Sequence, residues 1–271
     1  MKQIGASPSQ KALFILILLM VAGPSYAQDH YIIGTEDIDY LPYIGNSEGH
    51  NAEKNKLTGY AVDIFDDFFK SEKASFAYNK LPIKRLFKQF LFEDSLDFKY
   101  PDSASWKPEL REGKEIFYSI AINKSINGLI IHLDNRPANA ESIKTIGAIR
   151  GVVPWSYINA IKTGEIKLKE YAKTSYLINS LLAKRIDAAY IDTAVAKLYL
   201  KDFPAAQKSK IRFDTSFPHD VNLYQMSSMK HPEMISRLNL FLKNNPKIIE
   251  DLSVKYGVSS TPLKSTLIPM R

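Results

Sequence analysis

Arg111 ends the short segment Pro108-Glu109-Leu110-Arg111, which runs on into Phe117-Tyr118-Ser119 and has Trp106 just ahead of it. A cation and an aromatic at a prolyl turn, followed by apolar residues with the character of a strand, could make a ligand clamp beside a chain crossover. The other reading of Arg111 is a surface arginine solvated next to Glu109, Glu112 and Glu115. Asp192 follows the apolar run Ala188-Ala189-Tyr190-Ile191 and precedes a helical pattern. It can cap that helix, offer a carboxylate to a ligand, or do both. Arg85 lies beside an apolar helix face and either snorkels or reaches a ligand. Lys84 and Lys114 are further cations near the same places. Tyr43, Trp106, Trp155 and Tyr157 are either cleft aromatics or core packing.

Other chemistries find no support. The histidines at 30, 50, 132, 219 and 231 are scattered, without metal-ligand spacing. There is no G-x-S-x-G, no Walker A and no G-x-G-x-x-G, so no cofactor is expected. The formal net charge is +7, but acids and bases interleave, as in 162–173. That pattern describes a solvated surface better than a nucleic-acid track.

Lys2 and Lys11, the unbroken apolar run 12–22, Gly23-Pro24 and then Ser25-Tyr26-Ala27 have the layout of a secretory signal peptide over residues 1–27. No later run approaches a membrane span, so the remaining chain is expected free in a bacterial periplasm or outside the cell. It has no cysteine, so an exported fold must hold without disulfides. Its length suits two modest lobes or one large domain.

These residues must be positioned by elements that alternate. Residues 30–34 predict a strand, and Gly59 opens a helix bearing Ala61, Val62, Phe65, Phe68 and Phe69 at helical spacing, with Asp63 in its first turn. Residues 75–78 predict a strand, 81–91 a helix and 97–100 a strand; 46–56 is a polar surface excursion. The style repeats with strands at 145–149, 166–171 and 188–191 and helices at 154–162, 193–200 and a segment N-capped by Thr174. Strands at 211–213 and 221–226 and helices at 231–244 and 246–256 complete the chain, the last stopping at Gly257. Strand and helix alternate twice, which predicts an α/β protein of two lobes, each a mostly parallel sheet flanked by helices and joined by two hinge strands. The chain is expected to leave the first unit near 118–123 and return near 214–218. That places 28–121 with 217–271 in lobe 1 and 122–216 in lobe 2. The crevice between them is the default ligand site.

Several motifs in order carry a resemblance: Leu41-Pro42-Tyr43, Gly59-Tyr60-Ala61-Val62-Asp63-Ile64, Pro108-Glu109-Leu110-Arg111 before Phe117-Tyr118-Ser119, Ile149-Arg150-Gly151, and Arg185-Ile186-Asp187-Ala188 before Tyr190-Ile191-Asp192. With these, the chain resembles the family 3 bacterial extracellular solute-binding proteins, the periplasmic receptors of polar amino-acid ABC importers. The resemblance implies a type II two-lobed fold, no catalysis, and capture of a small polar solute for an inner-membrane ABC permease or a sensor. A monomer is the simplest expectation for such a clamshell. By resemblance, Arg111 grips the α-carboxylate, Asp192 takes the ammonium and Tyr43 and other aromatics stack on the solute. Gly151 leads into a helix whose N–H groups add donors. The step from Arg111 to Ser119 is one residue longer than usual in that family, which in a strand would turn the side chain to the other face. Arg85 is then the alternative cation. Periplasmic cyclohexadienyl dehydratases are similar in fold, and for such an enzyme Glu109, Asp192 and His132 are the acid–base candidates.

Overall fold

The computed structural model describes residues 29–46, 56–258 and the backbone of Leu267–Pro269. The segment expected to be a signal peptide and most of the predicted excursion at 46–56 lie outside the described residues.

Strand β1 (His30–Glu36) alternates exposed and buried positions, buries Ile33 to Thr35 and ends at the partly buried Glu36. A small hairpin of β2 (Gly45–Asn46) and β3 (Leu57–Thr58) leads to helix α1 (Tyr60–Ser71). This helix buries Val62, Phe65, Phe68 and Phe69, as the 3.6-residue spacing requires. Asp63 in its first turn accepts from Lys255 Nζ at 2.6 Å and Tyr256 OH at 2.8 Å, which ties the first helix to the end of the chain. Gly59, at φ 131°, lets the chain enter α1 directly beneath the backbone at Tyr43. A Cβ there would lie 2.5 Å from the Tyr43 carbonyl oxygen. Gly59→Ala is therefore expected to cost about 3 kcal/mol, read as a lowered urea midpoint with an unchanged slope.

Strand β4 (Ser75–Leu81) pairs parallel with β1, and β1 pairs parallel with β5 (Phe98–Asp102). Helix α2 (Ile83–Leu91) lies between them in sequence and buries Leu86, Phe87, Phe90 and Leu91. The short helix α3 (Pro108–Arg111) and β6 (Phe117–Tyr118) end this unit.

The chain then crosses on β7 (Asn123–His132), longer than the apolar stretch at 128–131 alone indicates. In the second unit β8 (Thr145–Ile149) pairs parallel with β9 (Lys167–Tyr171) and with β10 (Ala188–Asp192). Helices α4 (Ile158–Thr163) and α5 (Thr174–Leu182) connect them, and α6 (Thr193–Leu200) follows β10. The expected helix at 154–162 is a 3-10 turn, Trp155–Tyr157, followed by α4. Thr174 does not cap α5: it is the first helical residue, buried, and the cap position at Lys173 makes no side-chain bond.

Strand β11 (Ile211–Asp214) pairs antiparallel with β7, and the chain returns on β12 (Asp220–Ser228), slightly later than expected. The two crossing strands pair antiparallel from Asn123↔Tyr224 to Asn127↔Asp220. Beyond that overlap β7 joins β10, while β12 joins β5 and β6. Strands that run against each parallel set make the sheets mixed rather than mostly parallel. Helices α7 (Pro232–Asn244) and α8 (Pro246–Tyr256) pack back on the first unit, and Gly257 ends α8 in the left-handed conformation. The last described strand, β13 (Leu267–Pro269), pairs with β11 of the second unit, whereas the sequence placed everything after 217 with the first.

Candidate functional site

The ends of β1, β5 and β8, together with β10 and the crossing strands, enclose a cavity of about 150 Å³. It lies at the carboxyl ends of parallel strands, where open α/β sheets bind ligands. Glu36, Tyr40, Phe87 and Trp106 line it from the first unit. Gly151, Trp155 and Tyr190 line it from the second, with Asn222 and Tyr224 on β12 between them. The wall is mainly apolar, with six aromatic side chains in it. Trp106 and Tyr224 meet edge-on with centroids 5.5 Å apart, and Tyr40 holds its hydroxyl on Asn127 Oδ1 at 3.1 Å.

Of the residues singled out in the sequence, Trp106, Trp155 and Gly151 line this cavity, while Arg111, Asp192, Tyr43 and Arg85 do not. Arg111 is buried, and its donors are already directed inward. Nη1 and Nη2 meet the two Asp102 oxygens at 3.2 and 2.6 Å, Nε donates to Trp106 O at 2.6 Å, and Nη1 also reaches Tyr118 OH at 2.7 Å. Asp102 takes two more donors, Lys99 Nζ at 2.9 Å and Ser227 Oγ at 2.5 Å. Burial alone would raise the Asp102 carboxyl, but Lys99, Arg111 and the hydrogen bonds outweigh it and hold it below its ordinary value. The sequence-predicted carboxylate clamp thus holds a carboxylate of its own chain. Arg85 is exposed on α2.

Asp192 is similarly spent. It is fully buried and caps α6, accepting from Ala194 N at 2.8 Å and Val195 N at 3.0 Å. Ser125 Oγ and Ile126 N add bonds at 2.8 and 2.9 Å, and Tyr43 OH reaches it at 3.2 Å from the first unit. Burial raises its carboxyl in spite of these donors. Tyr43 is consequently a buried bridge between the units rather than an exposed stacking platform.

Gly151 follows β8 at φ 92°, and a Cβ there would lie 3.1 Å from Ile83 Cδ1 across the crevice. No α-helix starts directly after it. At the 3-10 turn that does follow, Ser156 N and Oγ face Asp220 at 3.4 and 2.8 Å, and Tyr190 OH also donates to Asp220. Internal carboxylates therefore occupy both places where the sequence led us to expect ligand-anion donors. The acid–base candidates are also elsewhere: Glu109 is exposed, and His132 is buried in β7 with Nδ1 accepting from Asp134 N.

Sequence reasoning passed over Glu36, Asp102 and Asp220. Glu36 had a usable signal, since it ends the first strand of a parallel set. Asp220 carried none, because its partners Ser156 and Tyr190 are remote in sequence, and Asp102 lies near Lys99 and Arg111 in the chain but in no pattern that marks the pairing.

No protein-family model and no curated protein matches the sequence. Solved structures do match in fold. An ancestral arginine-binding protein bound to arginine superposes with a TM-score of 0.62 at 17% identity, covering 85% of this chain and 99% of that one. The arginine-, lysine-, histidine-binding protein ArtJ from the thermophilic bacterium Geobacillus stearothermophilus gives 0.62 at 20% identity, covering 87% and 97%. A histidine kinase sensor domain with similarity to periplasmic binding proteins gives 0.64 at 15% identity, covering 89% and 98%. The chain has the α/β fold of the type II periplasmic binding proteins, shared by amino-acid receptors and a kinase sensor.

Proposed function

We propose that the protein is an exported receptor that captures a small organic solute between two lobes and presents the closed form to a membrane partner. The observation that carries this reading is the aromatic cavity lined from both units and flanked by the paired crossing strands β7 and β12. Two strands that each serve both units make a hinge, and a solute touching both walls favours the closed arrangement through contacts that an open one lacks. Contacts already span the crevice at Tyr43–Asp192 and at Gly151–Ile83, so this is the shape a bound solute would reinforce. The similar structures are binding proteins and a sensor domain, and the residues considered for acid–base chemistry lie outside the cavity. Among the described residues no helix is long and apolar enough to cross a membrane. A neighbouring gene for an ABC permease would make the partner an importer, and one for a membrane kinase would make it a sensor.

The test is a thermal-shift screen with amino acids, amines, polyamines, di-acids and short oligosaccharides. A solute at a hundred times its Kd stabilises by about 2.7 kcal/mol, a shift of roughly 5–10 °C for a chain of this size. Small-angle scattering with the same solute should show no expansion. A complete screen without a shift, on protein shown to be folded, overturns the receptor reading.

A further inference from the structure

Glu36 is the acid that the cavity leaves without a partner. It ends β1, is partly buried and lines the cavity. Among the described residues its carboxylate makes no hydrogen bond or ion pair. The neighbouring charges are committed elsewhere: Asp102 binds Lys99 and Arg111, Asp220 binds Ser156 and Tyr190, and Asp192 caps α6. Around the cavity two buried cations, Lys99 and Arg111, stand against four carboxylates, Asp102, Asp192, Asp220 and Glu36. The group is therefore short of positive charge. Lys107 also lines the cavity, but from an exposed position where water already solvates it.

Resting on the receptor reading above, we propose that the cavity takes a small organic ammonium ion with an aromatic or apolar body and no carboxylate. Glu36 is its counter-ion, and Tyr40, Trp106, Trp155, Tyr190 and Tyr224 form its walls. Ring faces attract a desolvated cation, and two of these phenols are turned to partners of their own, Tyr40 to Asn127 and Tyr190 to Asp220. A ligand carboxylate would fare badly. The guanidinium that could hold it bidentately is filled by Asp102, and Ser156 at the turn after Gly151 already faces Asp220. A zwitterionic amino acid would bring its anion to a site whose buried guanidinium is already taken. Burial and Asp102 raise the Glu36 carboxyl although Lys99 lowers it, and a cation seated beside it would favour its ionised form.

The experiment is isothermal titration calorimetry of the purified protein with phenethylamine and benzyltrimethylammonium. The neutral analogue 2-phenylethanol and the amino acids phenylalanine and arginine are titrated alongside. The expected result is binding of the two cations, much weaker binding of the alcohol and of both amino acids, and a loss of roughly 10- to 100-fold for phenethylamine in Glu36→Gln. The unliganded variant should melt at or above the wild type, since Gln removes an unpaired charge whose carboxyl the fold raises. If Glu36→Gln does not fold, the comparison of amine with alcohol in the wild-type protein decides alone. Equal binding of amine and alcohol, unchanged amine affinity in a folded Glu36→Gln, or tighter binding of phenylalanine or arginine overturns the cation assignment and leaves the receptor reading standing. If neither cation binds while another solute from the thermal screen does, the assignment likewise falls alone; if no solute binds at all, both fall.

Discussion

Asp102→Ala should be the most damaging single substitution near the site, costing about 3–5 kcal/mol. Asp102 is fully buried and so is Lys99, with Arg111 almost so. Removing the carboxylate leaves two cations in the interior with no anion, and the Ser227 hydroxyl loses its acceptor as well. The cost comes from stranded charge rather than from the net worth of the pair. The triple variant Lys99→Met, Asp102→Leu, Arg111→Met should therefore recover much of the loss, because apolar side chains of similar size need no counter-charge. Urea unfolding at pH 7 measures both. The pH dependence has a defined sign. The folded Asp102 carboxyl lies below its ordinary value, so its contribution is fully present above about pH 4, the unfolded carboxyl's value. It is lost as the pH falls through the lower folded value. The deficit of Asp102→Ala against wild type should shrink below about pH 4; a deficit equal at pH 7 and pH 3 would mean that pairing is not its source.

Asp192→Ala is expected to cost roughly 3 kcal/mol, the sum of a lost helix cap and orphaned buried donors. Two of the donors open α6, two lie at Ser125 and Ile126 on the crossing strand β7, and one is the Tyr43 hydroxyl of the first unit. One carboxylate thus links a helix start, the crossing strand β7 and the Tyr43 side chain of the first unit. The loss should have a local signature, with faster amide exchange at Ala194, Val195 and Ile126 than at the core strands. Tyr43→Phe removes only the bridge and should cost about 1 kcal/mol. A stability loss without change in those three amides would show that Asp192 acts through bulk alone.

Much of the fold was legible where periodicity and burial coincide. The spacing of Phe65, Phe68 and Phe69 placed α1, and the apolar run at 188–191 placed β10. Thr193–Leu200 and Pro246–Tyr256 fall where caps and breakers put them. Strand β7 was less legible because its first half is polar: Asn123 accepts from Tyr100, and Ser125 serves Asp192. A buried polar strand has no apolar signal for a sequence pattern to register. Trp106 and Trp155 line the cavity, whereas Tyr43 is buried as a bridge between the units.

The sequence by itself determined the order and kind of the elements, because a residue's helical or extended preference and the face it buries are local properties. It also marked Arg111 and Asp192 as unusual charges at the ends of apolar segments. Only the tertiary structure decided what those charges do. Arg111 meets Asp102 on β5, and Asp102 in turn meets Ser227 on the returning strand, 125 positions away. Asp192 meets Tyr43 across 149 positions. Electrostatic pairing depends on a separation of a few ångströms in space. Chain order does not encode that separation until the strands have paired, so whether a cation faces a ligand or its own protein is settled by the fold. On that basis Glu36, rather than the more conspicuous Arg111, is the charge left available to a ligand.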